Sequence, residues 1–343
     1  MRNFIDKAPF IIAEISANHN GSLSNAKKLI HLAKKSGANA IKLQTYTPDM
    51  MTIKDNVIKF KIKKGLWKGY NLWELYNLGK TPLEWHTKLF QYAKKLKIKI
   101  FSTPFSEDAI FFLKKLNCPA YKIASFEMND YNLIKTAAKT KKPLIISTGL
   151  ASIIEIDKAV KIAKKNGCKD LTLLYCVSNY PSKTSDFNLN IIKKLKHQYN
   201  CRIGLSDHSL GSEIAKYSLI LGARVFEKHI ALDNQKRGLD LEFSLKGRNI
   251  RRYIQSIKET HDLIKENSLK RSKTELENRI FRRSIYAIKD IKKGERFTKK
   301  NIKTFRPDVG LSASKFLEIL GKKSPIKIKK NYPLSKNLFH KIK

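Results

Sequence analysis

Arginine is absent from Asn3 to Cys201, although this chain of 343 residues carries 70 Lys and Arg residues against 29 Asp and Glu. Lysines such as Lys27, Lys94 and Lys164 instead recur at helical spacing opposite apolar positions. Arginine reads bases and phosphates better than lysine, and aromatic residues are not interleaved with the basic runs as stacking platforms. We therefore interpret the net charge of +41 as a lysine-biased composition that can help to steer an anionic substrate. A basic nucleic-acid-binding protein is the alternative of another class.

Cysteines and long apolar runs are also scarce. Cys118, Cys168, Cys176 and Cys201 form no Cys-x-x-Cys pair, which is typical of reduced cysteines in a cytoplasmic protein. No apolar stretch approaches the roughly 18 residues of a membrane span, and the first ten residues carry no secretory signature. The sequence predicts a cytoplasmic protein that has no contact with the membrane.

Apolar runs alternate with amphipathic helical stretches up to residue 267. The runs are Phe10–Ile15, Ala40–Leu43, Ile98–Ser102, Ala120–Ala124, Pro143–Ser147, Leu171–Cys176, Arg202–Leu205 and Ala223–His229, and helical patterns include Asn25–Ser36, Leu83–Leu96, Asp108–Leu116, Ile153–Asn166 and Glu213–Leu221. Eight strands that are apolar on both faces, each followed by a helix, predict an α/β fold of the (β/α)8 TIM-barrel type. A doubly wound open sheet is the second choice, because no Gly-x-Gly-x-x-Gly follows the first strand.

The pattern changes after the last barrel helix, Arg251–Glu266. We predict a catalytic barrel over residues 1–267, a linker over 268–277 and a small second domain over 278–343. The second domain has short strands and turns that include Arg283–Ile288, Asn301–Ile302 and Pro325–Ile328. A long excursion from Thr45 to Thr81 interrupts the barrel pattern. It either folds over the barrel mouth and shapes a pocket or forms a surface hairpin that its tryptophan holds in place.

Two histidines end consecutive strands, in the segments Leu205-Ser206-Asp207-His208 and Glu227-Lys228-His229. In a parallel barrel the C-terminal strand ends converge on one mouth, where imidazole nitrogens suit a divalent metal with open positions. The other strand ends carry Glu14, Lys42, Gln44, Thr103, Lys122, Ser125, Ser147 and Ser178. Two lysines and several hydroxyls can hold a phosphate or a phosphate plus a carboxylate. Singly, each hydroxyl could be a helix N-cap, and each lysine could have a buried stem and an exposed ammonium.

These segments, taken together, resemble the sialic acid synthases, which condense phosphoenolpyruvate with an N-acetylated sugar. The resemblance lies in Ile12-Ala13-Glu14 with Asn18-His19-Asn20-Gly21, Ile41 to Gln44, Ser102 to Phe105, Tyr121 to Ser125, Ser147 to Gly149, Gly204 to His208 and Glu227 to His229. It covers essentially the whole chain, because Arg279 to Phe339 looks like the antifreeze-protein-like (SAF) domain of these enzymes. The sequence departs from the family pattern at Val177, Leu241 and Ile230. The first two touch the expected substrate contacts, and neither removes an expected metal or phosphate residue.

The resemblance implies a role for each matching residue. His208 and His229 would hold a divalent metal, with manganese as the first choice and magnesium or cobalt as alternatives. Glu14 would be the acid/base. Phosphoenolpyruvate would contact Lys42, Thr103, Lys122, Ser125, Ser147, Ser178 and Ser206, and Gln44, Tyr180 and Asp240 would face the sugar. Arg283 would reach the sugar from the partner subunit of a domain-swapped homodimer.

Within the family, four segments favour the branch that uses a 2,4-diacetamido-trideoxyhexose over the N-acetylneuraminate branch, and a synthase of N-acetylneuraminic or legionaminic acid is the alternative. The segments are Thr45 to Asp49, Gly65 to Gly69, Ala120 to Glu127 and Phe243 to Leu245.

Overall fold

The computed structural model describes residues 4–5, 8–55, 60–266 and 269–342. By its internal packing the chain divides into two compact units, Met1–Glu266 and Asn267–Lys343. The predicted domain boundary between residues 267 and 268 lies outside the described residues.

The first unit is a closed parallel barrel. Its strands are β1 (Phe10–Glu14), β2 (Ala40–Thr45), β3 (Lys99–Pro104), β4 (Tyr121–Ile123), β5 (Leu144–Ser147), β6 (Leu171–Cys176), β7 (Arg202–Asp207) and β8 (Val225–Ala231). They pair in sequence order, and β1 pairs with β8 to close the barrel. Nearly all strand residues are buried, as expected for strands covered by helices on one side and by the barrel interior on the other. The predicted TIM barrel is confirmed.

Helices follow every barrel strand. They are α1 (Leu23–Ser36), α2 (Pro48–Met51), α3 (Leu72–Gly79), α4 (Leu83–Lys95), α5 (Glu107–Lys115), α6 (Tyr131–Lys139), α7 (Ile153–Lys165), α8 (Asn190–Gln198), α9 (Glu213–Ile220) and, after the two-residue strand β9 (Leu245–Lys246), α10 (Arg248–Ile264). The named helical patterns match α1, α4, α5, α7, α9 and α10. Helices α6 and α8 are not among the named patterns, but each lies where a helix was predicted to follow its strand.

The hydroxyls that begin helices are not those at the strand ends. Ser22, Ser106 and Ser152 accept backbone N–H groups in the first turns of α1, α5 and α7, and the Asp130 carboxylate does the same for α6. The predicted site hydroxyls at the strand ends therefore do not serve as the N-caps of these four helices.

The second unit has its own small core and is built from short elements. These are α11 (Lys273–Glu277), β10 (Ser284–Ala287), β11 (Ile302–Phe305) and α12 (Phe316–Ile319), and β10 pairs antiparallel with β11. Helix α11 falls within the predicted linker. Residues 325–328, predicted among short strands and turns, form no named strand: Ile328 makes an isolated bridge with Ile291, and the Ser324 hydroxyl donates to the Ile326 carbonyl just before it.

Within the part of the chain that the structure describes, no helix is long and apolar enough to cross a membrane.

Candidate active site

The strand alternation of β7 and β8 decides which side chains face the barrel mouth. Successive residues of a strand point to opposite faces. Ser206 and Glu227 therefore meet inside the barrel, where the Ser206 hydroxyl donates to Glu227 Oε1 at 3.1 Å. Asp207 and Lys228 point outward and pair with each other at 3.3 Å, beneath the Tyr253 hydroxyl of α10. The outer pair holds the ends of β7 and β8 together on the outer face of the barrel wall.

A cluster of two lysines and two glutamates occupies the centre of the mouth. The Lys42 ammonium pairs with the Glu14 carboxylate and lies 3.9 Å from Glu227, while Lys122 Nζ is 3.2 Å from Glu227 Oε1. All four side chains are at most 4% exposed. The two lysines are thus fully buried rather than surface residues with buried stems.

Burial and pairing shift the ionisation of this cluster. Burial raises the pKa of Glu14 to about 7, although the Lys42 ammonium opposes that shift. For Glu227, burial is outweighed by Lys122 and Lys42, and its pKa is lowered. Burial also lowers the pKa of Lys122. The cluster therefore holds one carboxylate that stays ionised and one that can exchange a proton near neutral pH.

Hydroxyl groups surround the two lysines. Thr103 accepts a hydrogen bond from Lys42 Nζ at 2.9 Å, and the hydroxyls of Ser125 and Ser178 lie 3.0 Å apart. The buried Ser147 hydroxyl finds no hydrogen-bond partner among the described residues. Such a group is normally satisfied in a folded protein, so its position in the lining of the cavity, which Lys122 also lines, suits a ligand oxygen.

His208 and His229 lie side by side at the same mouth, with ring centroids 5.5 Å apart. The Val177 carbonyl is 2.9 Å from His208 Nδ1 and fixes a proton there, which leaves Nε2 with a lone pair. His229 Nδ1 is buried and has no hydrogen-bond partner within the described ranges. Burial lowers the pKa of both imidazoles, that of His208 to about 4, so both are neutral, as metal ligands must be.

No group of three or more His, Cys, Asp or Glu side chains in the described residues is arranged to hold a metal ion. Two histidines alone would leave the remaining positions of a divalent ion to substrate and water. The neutral imidazoles with free nitrogens fit that arrangement.

A cavity of about 400 Å³ opens above these groups, and the excursion after β2 forms part of its wall. Trp67 Nε1 donates to the Leu239 carbonyl at 2.8 Å, and its ring lies 5.5 Å from that of Tyr180. The ring of Phe243 packs against those of Tyr180 and His229, with centroid distances of 4.9 Å and 4.8 Å. The excursion therefore shapes the pocket, as one of the two sequence interpretations predicted; residues 56–59 of it lie outside the described ranges.

The structure brings the predicted barrel residues together. Those that line the cavity are Lys42, Gln44, Lys122, Ser125, Ser147, Tyr180, Ser206, His208, His229 and Asp240. Glu14, Thr103 and Ser178 are not among the lining residues: Glu14 and Thr103 contact Lys42, and Ser178 contacts Ser125. Arg283 is exposed in the second unit, immediately before β10, and its contact with a partner subunit stays a prediction.

The lining residues that sequence reasoning missed include Trp67, Glu127, Glu227 and Phe243. Glu227 could have been found, because it lies two residues before His229 on one strand and must share its face. Glu127 is also notable, since burial raises its pKa to about 7. Trp67 and Phe243 come from loops, whose side-chain directions no strand pattern predicts.

Active sites of closed parallel barrels lie at the C-terminal strand ends, and the class of protein defined here is a (β/α)8-barrel enzyme with a buried cluster of lysines and glutamates. Residues 29–268 match the NeuB family and residues 282–339 match the SAF domain. The chain belongs to the NeuB family, as its resemblance to the sialic acid synthases predicted.

Three known proteins illustrate the similarity. The pseudaminic acid synthase of Campylobacter jejuni subsp. jejuni serotype O:2 is 46% identical, over 94% of this chain and 94% of that protein. The N,N'-diacetyllegionaminic acid synthase of the same strain is 36% identical, over 92% of this chain and 96% of that protein. The crystal structure of N-acetylneuraminic acid synthetase from Leptospira borgpetersenii serovar Hardjo-bovis matches with a TM-score of 0.71 and 31% identity, over 79% of this chain and 90% of that one.

Proposed function

We propose that this protein is a pseudaminic acid synthase. It condenses phosphoenolpyruvate with 2,4-diacetamido-2,4,6-trideoxy-altrose and water, and it releases pseudaminic acid and phosphate by C–O cleavage. The observation that carries the reaction type is the pair of buried lysines, Lys42 and Lys122, among hydroxyls at the barrel mouth. The observation that favours this sugar is the higher identity to the pseudaminic than to the legionaminic acid synthase of one organism. Family membership does not favour the nucleic-acid-binding alternative.

The phosphate of phosphoenolpyruvate would lie against Lys42 and Lys122. Two ammonium groups that strand ends hold rigidly are already organised for a phosphate dianion, so little reorganisation accompanies binding. The free Ser147 hydroxyl and that of Ser125 would donate directed hydrogen bonds, whereas the Ser206 hydroxyl already donates to Glu227. Glu227 would keep both lysines protonated until the substrate arrives.

The reaction forms a carbon–carbon bond between the methylene carbon of phosphoenolpyruvate and the sugar aldehyde. Water then adds to the enol carbon, and the C–O bond to phosphate breaks. Glu14 can stabilise the cationic enol carbon or accept the proton of the attacking water, because its pKa of about 7 suits proton exchange at neutral pH.

We further propose that His208 and His229 hold a divalent metal, with Mn²⁺ as the first choice and Mg²⁺ or Co²⁺ as alternatives. When bound, the ion would polarise the aldehyde oxygen of the sugar. The chain's own contribution is to present two neutral imidazoles, one of which the Val177 carbonyl fixes in its tautomer.

The sugar would occupy the part of the cavity lined by Gln44, Tyr180 and Asp240, against the aromatic wall of Trp67 and Phe243. Arg283 of a second copy would contact its N-acetyl groups, which requires a domain-swapped homodimer. We propose a cytoplasmic location, since phosphoenolpyruvate is an intracellular metabolite.

Phosphate release by the purified, metal-loaded protein tests the proposal. Phosphoenolpyruvate is supplied with Mn²⁺ and, in separate reactions, with the 2,4-diacetamido-trideoxy-altrose, another stereoisomer of that sugar, or N-acetylmannosamine, and products are weighed by mass spectrometry. Turnover of the altrose sugar supports pseudaminic acid synthesis. Preference for another stereoisomer or for N-acetylmannosamine would assign the enzyme to the legionaminate or N-acetylneuraminate branch, and no turnover by a folded dimer would contradict the proposal.

A further inference from the structure

Ser16 connects two functional carboxylates that lie far apart in the sequence. Its backbone N–H donates to Glu14 Oε1 at 2.7 Å, and its hydroxyl donates to Asp240 Oδ2. The N–H of Ala17 donates to the same Asp240 oxygen at 3.3 Å. Ser16 and Asp240 are both buried and both line the cavity, so the hydroxyl acts where the sugar would bind.

The backbone at Ser16 makes a serine unexpected. Its φ is +49°, in the left-handed region that glycine adopts without strain and other residues rarely adopt. If only the turn mattered, glycine would be the better residue. Strained positions of this kind cluster at functional sites, and here the side chain that glycine lacks makes the bond to Asp240.

Contacts that do not involve Ser16 hold the backbone conformation of the loop that carries Asp240. Asn18 Nδ2 donates to Ser244 Oγ at 2.8 Å, and the Ser244 hydroxyl donates to the Asp240 carbonyl. Trp67 Nε1 holds the Leu239 carbonyl. Because these contacts fix the loop backbone independently, the Ser16 hydroxyl acts on the orientation of the Asp240 carboxylate alone.

We propose that Ser16 is a positioning residue for sugar recognition: its hydroxyl orients the Asp240 carboxylate toward the sugar, while its peptide N–H holds Glu14. The proposal rests on the function proposed above. The two roles are separable, since Ser16→Ala and Ser16→Gly both keep the peptide N–H and both remove the hydroxyl.

Steady-state kinetics of these two variants test the proposal, with the sugar that the wild-type enzyme turns over best. We expect the KM for the sugar to rise about tenfold in both, which corresponds to the loss of one hydrogen bond to a charged group, and the KM for phosphoenolpyruvate to change less than twofold. The double variant Ser16→Ala/Asp240→Ala should be no worse than Asp240→Ala, because both act through one carboxylate. Ser218→Ala, a buried serine of α9, is the matched control and should behave as wild type.

Wild-type sugar kinetics in Ser16→Gly would overturn the proposal, because the hydroxyl would then be dispensable. Equal losses for both substrates would also overturn it, since they would indicate a general structural effect. A crystal structure of Ser16→Ala separates this question from the sugar assignment: a turned Asp240 carboxylate on an unchanged loop supports the role, and an unchanged carboxylate contradicts it whatever sugar the enzyme uses.

Discussion

The buried pair of Lys228 and Asp207 gives a prediction about stability that the structure allows to be worked through. Asp207 is fully buried and Lys228 is 2% exposed, with 3.3 Å between Nζ and Oδ2. Lys228→Met removes the positive charge and leaves the Asp207 carboxylate uncompensated, which typically destabilises a protein by about 3–5 kcal/mol. Asp207 keeps three donors, the N–H and hydroxyl of Ser209 and the Tyr253 hydroxyl, so we expect a loss near the lower limit, about 3 kcal/mol.

Guanidinium denaturation followed by tryptophan fluorescence measures this loss for the barrel alone, because Trp67, Trp73 and Trp85 all lie in the first unit. The matched control is Lys265→Met, which breaks an exposed i,i+3 pair with Asp262 and should cost less than about 0.5 kcal/mol. Adding Asp207→Asn to Lys228→Met removes the uncompensated negative charge and should recover about 2 kcal/mol of the free energy of unfolding. The reasoning would be refuted if Lys228→Met lost no more free energy of unfolding than Lys265→Met. It would also be refuted if the double variant Lys228→Met/Asp207→Asn were no more stable than Lys228→Met.

Three further predictions concern the site. His229→Ala should lower the metal content and nearly abolish phosphate release, and full activity in metal-stripped buffer would exclude the metal role. Arg283→Ala should weaken sugar use and spare phosphoenolpyruvate affinity. When Arg283→Ala chains are mixed with inactive His229→Ala chains, hybrid dimers should regain activity, because one site then has an intact barrel and an intact Arg283 from the partner subunit. An unswapped dimer could not regain activity in this way. Because burial raises the pKa of Glu14 to about 7, kcat/KM should fall as the pH drops below about 7 and Glu14 gains its proton. Glu14→Gln should remove that limb from the pH profile. Glu227→Gln should keep it, because the pKa of Glu227 is lowered, and an unchanged profile in Glu14→Gln would exclude Glu14 as the base.

The sequence by itself determined the barrel and the positions of most site residues. Apolar runs such as Leu171–Cys176 are local patterns, and in a parallel barrel the residue at the end of each run must lie at one mouth. The sequence pattern alone therefore places Lys42, Lys122, His208 and His229 together. The predicted helix after each strand is confirmed, including α6 and α8, whereas in the second unit helix α11 falls within the segment predicted as a linker.

Tertiary structure alone decided which groups pair. Glu227 and Lys228 are neighbours in the sequence, yet barrel closure directs Glu227 to Lys122 inside and Lys228 to Asp207 outside. The bond from Ser16 to Asp240 joins residues 224 positions apart, and the wall of Trp67 against Phe243 joins two separate loops. Such contacts depend on the closed barrel bringing distant strand ends and loops to one mouth. The strand pattern therefore predicts which residues meet at the mouth, but it encodes neither the bonds between them nor the pKa values that result.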